Sequence, residues 1–211
     1  MPHYFDEAPG VPSAERSFVL DVDGTRLALR TDRNVFSHGR LDAGTALLLR
    51  AAPHPPATGT FLDLGCGVGP IALALARRSP DASVWAVDVN ERARALCAAN
   101  AAANRLENVT VGAPDDVPGD VRLDLIWSNP PIRIGKPALH VLLTTWIGRL
   151  AADGRAVLVV HKHLGSDSLH RWLEESGWPT RRLTSAHGYR VLEVTAGDRS
   201  LARRVDGDPD S

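Results

Sequence analysis

Cysteine and long apolar segments are both scarce in this sequence. Cys66 and Cys97 are its only cysteines, and no CxxC pair or His/Cys cluster surrounds them. We therefore expect no zinc site and no disulfide framework, and we interpret both residues as reduced thiols of a cytoplasmic protein. No apolar run is long enough to cross a bilayer, and the polar, proline-rich residues 1–16 do not resemble a secretory signal. The sequence thus predicts neither a bound metal nor a membrane partner.

An excess of charge of either sign is missing as well. Lysine and arginine number 24 against 25 aspartates and glutamates, which gives a formal net charge of −1. The only lysines are Lys136 and Lys162. A domain that attracts nucleic acid through its overall charge is strongly basic, so any nucleic-acid surface here has to be a local basic patch.

The residues that are present follow the pattern of one α/β protein with an N-terminal extension. Residues 17–30 alternate around Asp23-Gly24, which is a strong signal for a β-hairpin, and a helix is expected to start near Asp42. We predict three parts: an N-terminal arm, hairpin and helix that pack on the core (residues 1–52), a core domain (60–195) and a disordered tail (196–211).

From Thr60 onward, segments of strand character alternate with helical segments. Such alternation predicts a doubly wound, mostly parallel sheet, which an antiparallel pair turning at His187-Gly188 would close. The expected strands are residues 60–64, 83–89, 108–112, 123–128 and 154–161, and the expected helices are residues 70–78, 91–104, 137–150 and 166–177.

The stretch "FLDLGCGVGP" places a glycine loop at the first strand-to-helix turn of this sheet. Ligands of such sheets bind at the carboxyl ends of the strands, where glycine lets the backbone approach closely. The spacing is G-x-G-x-G, and Pro70 stands where a dinucleotide fingerprint has its last glycine. Asp63, just before the loop, would repel a pyrophosphate but suits a ligand that carries an ammonium or sulfonium. The glycines concerned are Gly65, Gly67 and Gly69.

A second carboxylate, Asp88, ends the next strand roughly 20 residues further on, where an acid can accept hydrogen bonds from ribose hydroxyls. An adenosine with a positively charged amino-acid arm matches the loop and both acids, and S-adenosylmethionine is such a molecule. The alternative is a generic tight turn with a solvated Asp63.

These motifs resemble those of class I S-adenosylmethionine-dependent methyltransferases. "DLGCGVGP" looks like their first motif, Asp88-Val89-Asn90 like the acidic end of their second strand, and "SNPPI" like the motif of enzymes that methylate planar nitrogen. With "NVFSHGRLDAGTALLL", "PPIRIGKPALH" and "GYRVLEV", the chain is similar to the small-domain methyltransferases related to the 16S ribosomal RNA guanine-N2 enzymes. The likeness runs from about Tyr4 to Val194. It implies a Rossmann-like seven-stranded sheet, mostly parallel with an antiparallel last strand.

The resemblance also implies a set of residues that hold the cofactor. Phe36 would cover it, while Asp42 and Thr45 would help to hold its methionine end; the alternative for Asp42 is that it only caps its helix. The acid that often contacts adenine would fall near Pro114, so the backbone around Ala113 is expected to act instead. The full predicted set is Phe36, Asp42, Thr45, Asp63, Gly65, Cys66, Gly67, Gly69, Asp88, Val89, Asn90, Ala113, Asp115 and Asn129.

The corner Asn129-Pro130-Pro131-Ile132 is the predicted catalytic site. An exocyclic amine is a poor nucleophile because its lone pair is delocalised into the ring. The Asn129 side-chain carbonyl and the Pro130 backbone carbonyl can accept its two N–H bonds and so orient the lone pair, and the prolines stiffen the corner. Ile132 stands where adenine-N6 enzymes usually carry an aromatic residue, which favours guanine.

The predicted activity is methyl transfer to guanine N2 of small-subunit ribosomal RNA, with that RNA or the small subunit as partner and the protein as a monomer. Arg133, Lys136 and Lys162 lie at or after strand ends, where they can meet phosphates; a solvated rim is the alternative for each. Some relatives carry a further degenerate domain ahead of the catalytic one, which is not present in this sequence. Two other functions stay open: methylation of another planar amine (in a different RNA, a small molecule or a protein glutamine), and a non-catalytic, cofactor-binding module that associates with the ribosome.

Overall fold

The N-terminal hairpin is confirmed by the computed structural model of the protein, which describes residues 16–32, 39–131 and 134–197. Strands β1 (Arg16–Val22) and β2 (Thr25–Thr31) pair antiparallel as a sheet of their own. Asp23 and Gly24 form the turn, both with positive φ. Alternate residues of a strand face the same side, and the buried hydrophobic side chains are Leu20, Val22, Leu27 and Leu29.

Seven further strands form one sheet: β3 (Thr58–Leu64), β4 (Asp81–Val87), β5 (Val109–Gly112), β6 (Leu123–Ser128), β7 (Leu150–His161), β8 (Thr180–Ala186) and β9 (Tyr189–Thr195). Their order across the sheet is β5-β4-β3-β6-β7-β9-β8. The first five strands in this order, β5 to β7, all run parallel to one another. Strand β9 runs antiparallel to both of its neighbours, β7 and β8. The predicted fold class, with its antiparallel last strand, is confirmed.

Several predicted boundaries were wrong by a few residues: β4 spans Asp81–Val87 and not residues 83–89, and the helix expected over residues 137–150 ends at Ile147. The largest difference is at the start of β7. Strand β7 begins at Leu150 and not at Gly154. Leu123 pairs with Leu150 and Leu125 pairs with Arg155, so the residues between these two partners bulge out while pairing continues on both sides. In the sequence, Asp153-Gly154 looks like a turn that precedes a strand. The sequence alone does not show that Leu150, ahead of this turn, already pairs with β6.

Five α-helices lie in the described ranges and cover both faces of the large sheet: α1 (Ala43–Ala51), α2 (Pro70–Arg78), α3 (Glu91–Ala103), α4 (Lys136–Ile147) and α5 (Ser166–Glu175). Alternate side chains of the strands separate into two hydrophobic clusters. Phe61 and Leu125 pack on the face that holds the hairpin, α1, α2 and α3. Leu62 and Ile126 pack on the opposite face, under α4 and α5. None of the helices in these ranges is long and apolar enough to span a bilayer.

Strand β2 is held on α3 by two asparagine side chains. Asn100 Oδ1 accepts from the Arg30 N–H at 2.8 Å, and its Nδ2 donates to the Arg30 carbonyl at 2.9 Å. Asn104 makes the same pair of bonds with Ala28, at 3.1 and 2.9 Å. Four helix residues rise about 6 Å and two strand residues about 6.6 Å, so the two spacings nearly match.

Ion pairs add to this docking. The Arg78 guanidinium donates to both carboxylate oxygens of Asp23 in the hairpin turn, at 2.9 and 3.1 Å. Arg92 pairs with the buried Asp32 at 2.6 Å. The division into arm, core and tail stays a prediction, and residues 1–15 and 198–211 lie outside the described ranges.

Candidate active site

Three strand ends bring the predicted motifs together at one edge of the sheet. In the observed order, β3 lies between β4 and β6, so the segments that follow these strands are neighbours at their carboxyl ends. The glycine loop follows β3, Asp88 follows β4 and Asn129 follows β6. The chain leaves β3 towards β4 on one side and leaves β6 towards β7 on the other, so the gap between β3 and β6 is the topological switch point where such sheets bind ligands.

The glycine loop needs glycine at its last position for two separate reasons. Gly69 has φ +90°, and a Cβ there would lie 2.6 Å from the Cys97 sulfur. At Gly65 a Cβ would meet only Pro131 Cδ, at 3.8 Å, so the backbone borders open space next to the Asn-Pro-Pro corner. The Gly65 and Cys66 N–H groups both donate to the Val87 carbonyl at 2.9 Å, which anchors the loop to the end of β4.

The two cysteines, predicted to be reduced, are both free and buried in the structure. The Cys66 thiol donates to the Gly67 carbonyl at 3.6 Å. Its hydrogen bond with Cys97, together with burial, raises the pKa of the Cys66 thiol well above its ordinary value. Cys66 is thus an inert thiol that packs the loop.

Asp63 is a fully buried carboxyl group in which only one of the two oxygens accepts a hydrogen bond. Its Oδ2 accepts from the Ala72 N–H at 2.8 Å, in the first turn of α2. Its Oδ1 has no partner among the described residues. Burial, to which the charge of Asp88 adds, raises the pKa of Asp63 to about 8. A buried acid with an unpaired oxygen beside a ligand edge fits the cationic amino-acid arm of S-adenosylmethionine.

Asp88 is nearly buried at the end of β4 and is held by backbone donors. Its Oδ2 accepts from Gly67 and its Oδ1 from Asn90, both at 2.9 Å. Burial raises the pKa of Asp88 although these bonds oppose the shift. The neighbouring Val89 is 41% exposed, and such an apolar surface beside an acid predicted to bind ribose suits a planar base. Asn90 caps α3 by accepting from Ala93 at 3.2 Å.

The turn after β5 is closed on itself. Asp116 Oδ2 accepts from the Ala113 N–H at 2.7 Å, and the Asp116 N–H donates to the Ala113 carbonyl at 3.0 Å. The backbone of Ala113, predicted to contact adenine, is therefore already paired. Asp115 is exposed in the same turn. Contact of either residue with a cofactor stays a prediction.

The amide of Asn129 has both of its N–H bonds occupied. Nδ2 donates to Asp42 Oδ2 at 2.8 Å and to Thr45 Oγ1 at 3.1 Å. These acceptors lie at the N-terminus of α1, where Asp42 caps the helix by accepting from the Thr45 N–H at 3.0 Å. The side-chain carbonyl of Asn129 is left as the acceptor. Asp42 therefore does cap its helix, and in addition it contacts the predicted catalytic residue.

The rest of the corner is rigidly placed. Ser128 donates its hydroxyl to the Leu64 carbonyl at 2.6 Å, which joins the end of β6 to the end of β3. Pro130 is buried, and the Pro131 carbonyl accepts from the Ile134 N–H at 3.1 Å. Ile132, which was predicted to belong to the catalytic corner, lies outside the described residues.

The predicted RNA-facing cations are at the edges of this site. Lys136 is exposed at the start of α4, and Lys162 is exposed in the 3₁₀ turn that follows β7. Arg133 lies outside the described residues, as does Phe36, which was predicted to cover the cofactor. Within the described ranges, no group of three or more His, Cys, Asp or Glu side chains could hold a metal ion.

Tyr189 belongs to this neighbourhood, and the sequence did not identify it as a site residue. A Cβ on Gly44 would lie 2.7 Å from Tyr189 Cε1, so the ring covers the first turn of α1. Burial, and the nearby charge of Asp42, raise the pKa of the Tyr189 hydroxyl. His161 packs edge-on against the same ring at 4.8 Å. The available signal was that Tyr189 lies in the segment "GYRVLEV", which is part of the resemblance. In the structure it is the first residue of β9 and pairs with His161, the last of β7.

The sheet order, the glycine loop, the acid after β4 and the Asn-Pro-Pro corner after β6 define a Rossmann-like methyltransferase. The chain belongs to the methyltransferase small domain family, whose model matches residues 26–193. It is 32% identical over 195 residues to the uncharacterized protein YbxB of Bacillus subtilis, with 91% of this chain and 97% of that protein covered.

Longer relatives carry a functional name. The ribosomal RNA small subunit methyltransferase C of Pseudomonas entomophila is 40% identical over 197 residues, and that of Pseudomonas putida strain W619 is 35% identical over 195. The alignments cover 90% of this chain but only 58% and 57% of those proteins. This chain therefore spans little more than half of their length.

Solved structures agree with the family. The T. thermophilus 16S rRNA N2 methyltransferase RsmC, in complex with AdoMet and guanosine, superposes with a TM-score of 0.70 and 26% identity, covering 89% of this chain and 52% of that one. A methyltransferase from Pyrococcus furiosus shares the fold, with a TM-score of 0.56 and 20% identity over 66% of this chain and 75% of that chain.

Proposed function

We propose that this protein transfers a methyl group from S-adenosylmethionine to the exocyclic N2 amine of a guanine in small-subunit ribosomal RNA. The observation that carries the proposal is the Asn129 amide. With both N–H bonds given to Asp42 and Thr45, its carbonyl oxygen is the group left to receive a substrate N–H. This arrangement suits a substrate group that donates a hydrogen bond to the Asn129 carbonyl oxygen, such as an amine. It does not suit a substrate group that can only accept one.

The residues around the glycine loop fit S-adenosylmethionine. The unpaired Oδ1 of Asp63 suits its ammonium group, Asp88 its ribose hydroxyls and the exposed Val89 its adenine face. When bound, this cofactor supplies an electrophilic methyl group on a sulfonium. The chain's own residues would bring that methyl and the acceptor amine close together, because a Cβ built on Gly65 of the cofactor loop would lie 3.8 Å from Pro131 Cδ of the corner.

Asn129 and Pro130 then prepare the amine. Its lone pair is delocalised into the base, so the nitrogen has to pyramidalise before it can attack. Two acceptors, the Asn129 Oδ1 and the Pro130 carbonyl, fix its two N–H bonds and direct the lone pair towards the methyl carbon. The new N–C bond forms as the C–S bond breaks, and the sulfur keeps the electron pair. The nitrogen becomes cationic and loses a proton to water, so no strong base is required.

The choice of acceptor rests on three supports. Ile132 cannot offer the aromatic stacking that is usual in adenine-N6 enzymes. The Pseudomonas relatives are named as small-subunit ribosomal RNA methyltransferases, and the T. thermophilus structure is of a 16S rRNA N2 enzyme. Lys136 and Lys162 are exposed at the same edge and can meet phosphates.

A transfer assay tests the proposal. Methyl-³H S-adenosylmethionine is incubated with undermethylated small ribosomal subunits, naked 16S rRNA or free nucleosides, and the RNA is digested to nucleosides. We expect label in N2-methylguanosine, and none with Asn129→Ala, which should keep its affinity for the cofactor. Label in N6-methyladenosine, or none in RNA from an enzyme that binds the cofactor, would exclude guanine N2 as the acceptor.

A further inference from the structure

A contact between distant segments joins the start of α1 to the catalytic corner. Asp42 precedes α1, on the segment that leads out of the hairpin, while Asn129 follows β6 in the centre of the large sheet. Their side chains meet at 2.8 Å, and Thr45 of the same helical turn adds a bond at 3.1 Å. The cofactor motifs after β3 and β4 take no part in these hydrogen bonds.

We propose that Asp42 is a positioning residue for methyl transfer, which acts by holding and polarising the Asn129 amide and not by binding the cofactor. This inference rests on the proposed function of Asn129. It differs from the role that resemblance gave to Asp42, which was to hold the methionine end of the cofactor.

One oxygen atom does the holding. Asp42 Oδ2 accepts from the Thr45 N–H at 3.0 Å and from Asn129 Nδ2 at 2.8 Å. The backbone of α1 therefore fixes the carboxylate, and the carboxylate fixes the amide. Turning the amide over would point its carbonyl oxygen at a carboxylate and at the same time give up both donor bonds, so the orientation that presents Oδ1 to the substrate is strongly preferred.

The same contact strengthens the acceptor. A carboxylate on the N–H side of an amide draws positive charge to the nitrogen and leaves more negative charge on the oxygen. During transfer, positive charge moves from the cofactor's sulfur to the amine nitrogen, whose N–H bonds become better donors. The gain from a stronger Oδ1 acceptor is therefore larger in the transition state than in the ground state, which is the condition for acceleration.

Packing keeps the helical turn in place. Gly44, between Asp42 and Thr45, allows the Tyr189 ring to lie directly on it, and a Cβ there would also come within 3.0 Å of Asp42 Oδ2. Thr45 is buried. The acceptors of the Asn129 amide thus sit in a packed turn, where water competes poorly for their hydrogen bonds.

The decisive variant is Asp42→Asn. An asparagine also caps helices and can keep an oxygen at the Oδ2 position, so the variant removes the charge and keeps both hydrogen bonds. The matched control is Asp21→Asn, since Asp21 also accepts from a backbone N–H three residues on, Gly24 at 2.9 Å, but lies in the hairpin. Thr45→Val, which removes the second acceptor, is the companion if Asp42→Asn does not fold.

We expect the single-turnover rate at saturating cofactor to fall about 10-fold in Asp42→Asn, because the hydrogen bond to the Asn129 amide is kept but loses its charge assistance. Its calorimetric Kd for S-adenosylmethionine should change by less than about 3-fold. Asp21→Asn should match the wild type in both. A Kd weakened by about 10-fold or more, with a wild-type rate at saturation, would make Asp42 a cofactor ligand and overturn the proposal. An unchanged rate and Kd would overturn it as well.

A second measurement separates this proposal from the proposed function. In ¹⁵N-labelled protein without cofactor or RNA, the side-chain NH₂ signals of Asn129, assigned with Asn129→Asp, should lie apart from those of exposed asparagines and shift in Asp42→Asn. Signals that do not respond to Asp42→Asn would refute the contact, whatever the acceptor is. If the wild type labels no RNA while the signals shift, the function proposed above is wrong and the positioning of Asn129 by Asp42 stands.

Discussion

Asp88 accepts a hydrogen bond from the Gly67 N–H at 2.9 Å, which joins the acid that follows β4 to the glycine loop that follows β3. The two segments proposed to bind the cofactor are therefore one preorganised unit. Each carboxylate oxygen has two lone-pair sites, so the backbone bonds of Asp88 still leave both oxygens able to accept from ribose hydroxyls. We therefore expect the cofactor to bind without a rearrangement of the loop.

Cofactor affinity should depend on pH through Asp63. Because the pKa of Asp63 is raised to about 8, its carboxyl is neutral at pH 6 to 7. A cationic ligand favours the ionised form, so binding below about pH 8 must release a proton. We expect the Kd for S-adenosylmethionine to fall as pH rises from 6 to 8, by at most about 10-fold per unit. Calorimetry in buffers of different ionisation enthalpy counts the released proton.

Asp63→Asn is the control for this dependence, because it keeps the shape of the side chain but cannot ionise. Its affinity should be lower at pH 8, and the remaining pH dependence should be that of the ligand's own amino group. Equal proton release in Asp63→Asn and in the wild type would place the titrating group elsewhere.

The stability of the cofactor-free protein should have the opposite pH dependence. The pKa of Asp63 is about 8 in the folded protein against an ordinary value of 3.8, so between these values the folded state holds a proton that the unfolded chain releases. The free energy of unfolding therefore decreases as pH rises through this window, by at most about 1.4 kcal/mol per unit for one proton. Urea unfolding at pH 5, 6, 7 and 8 measures the slope, which Asp63→Asn should reduce. A wild-type slope that the substitution leaves unchanged would contradict the assignment.

Gly44→Ala should disturb the site although alanine is the better helix former. The added methyl would lie 2.7 Å from Tyr189 Cε1 and 3.0 Å from Asp42 Oδ2, so the ring and the carboxylate both have to move. We expect a loss of stability of about 1–3 kcal/mol from overpacking, which outweighs a gain in helix propensity of up to about 1 kcal/mol. Chemical denaturation and the methylation rate are the measurements. Gly119→Ala, where a Cβ meets nothing within 4 Å, is the control. A Gly44→Ala protein as stable and active as the wild type would show that the Tyr189 packing is dispensable.

Local chemistry explains what the sequence could predict. The alternation of strands and helices, the turns at Asp23-Gly24 and His187-Gly188, and Pro70 at the start of α2 are all recorded in short segments, and each is present in the structure. The glycine loop and Asp88 could be placed at one edge because parallel strands end together.

Contacts between remote segments could not be predicted in this way. Asp42 and Asn129 are far apart in sequence, and each has an ordinary local reason to be where it is, a helix cap and a strand end. Tyr189 looks like any aromatic at the start of a strand until Gly44 is placed beneath it. Only the packing of α1 on the ends of β7 and β9 brings these side chains together.

The asparagine pairs on α3 bear on more than the docking of the hairpin. Asn100 Nδ2 donates to the Arg30 carbonyl and also to the Val68 carbonyl of the glycine loop, each at 2.9 Å. A slip of β2 by one residue would exchange its inward and outward side chains and break its bonds to Asn100 and Asn104. The hairpin and the glycine loop are therefore mechanically coupled through one planar amide, so a displacement of the hairpin along α3 also loosens the support of the loop.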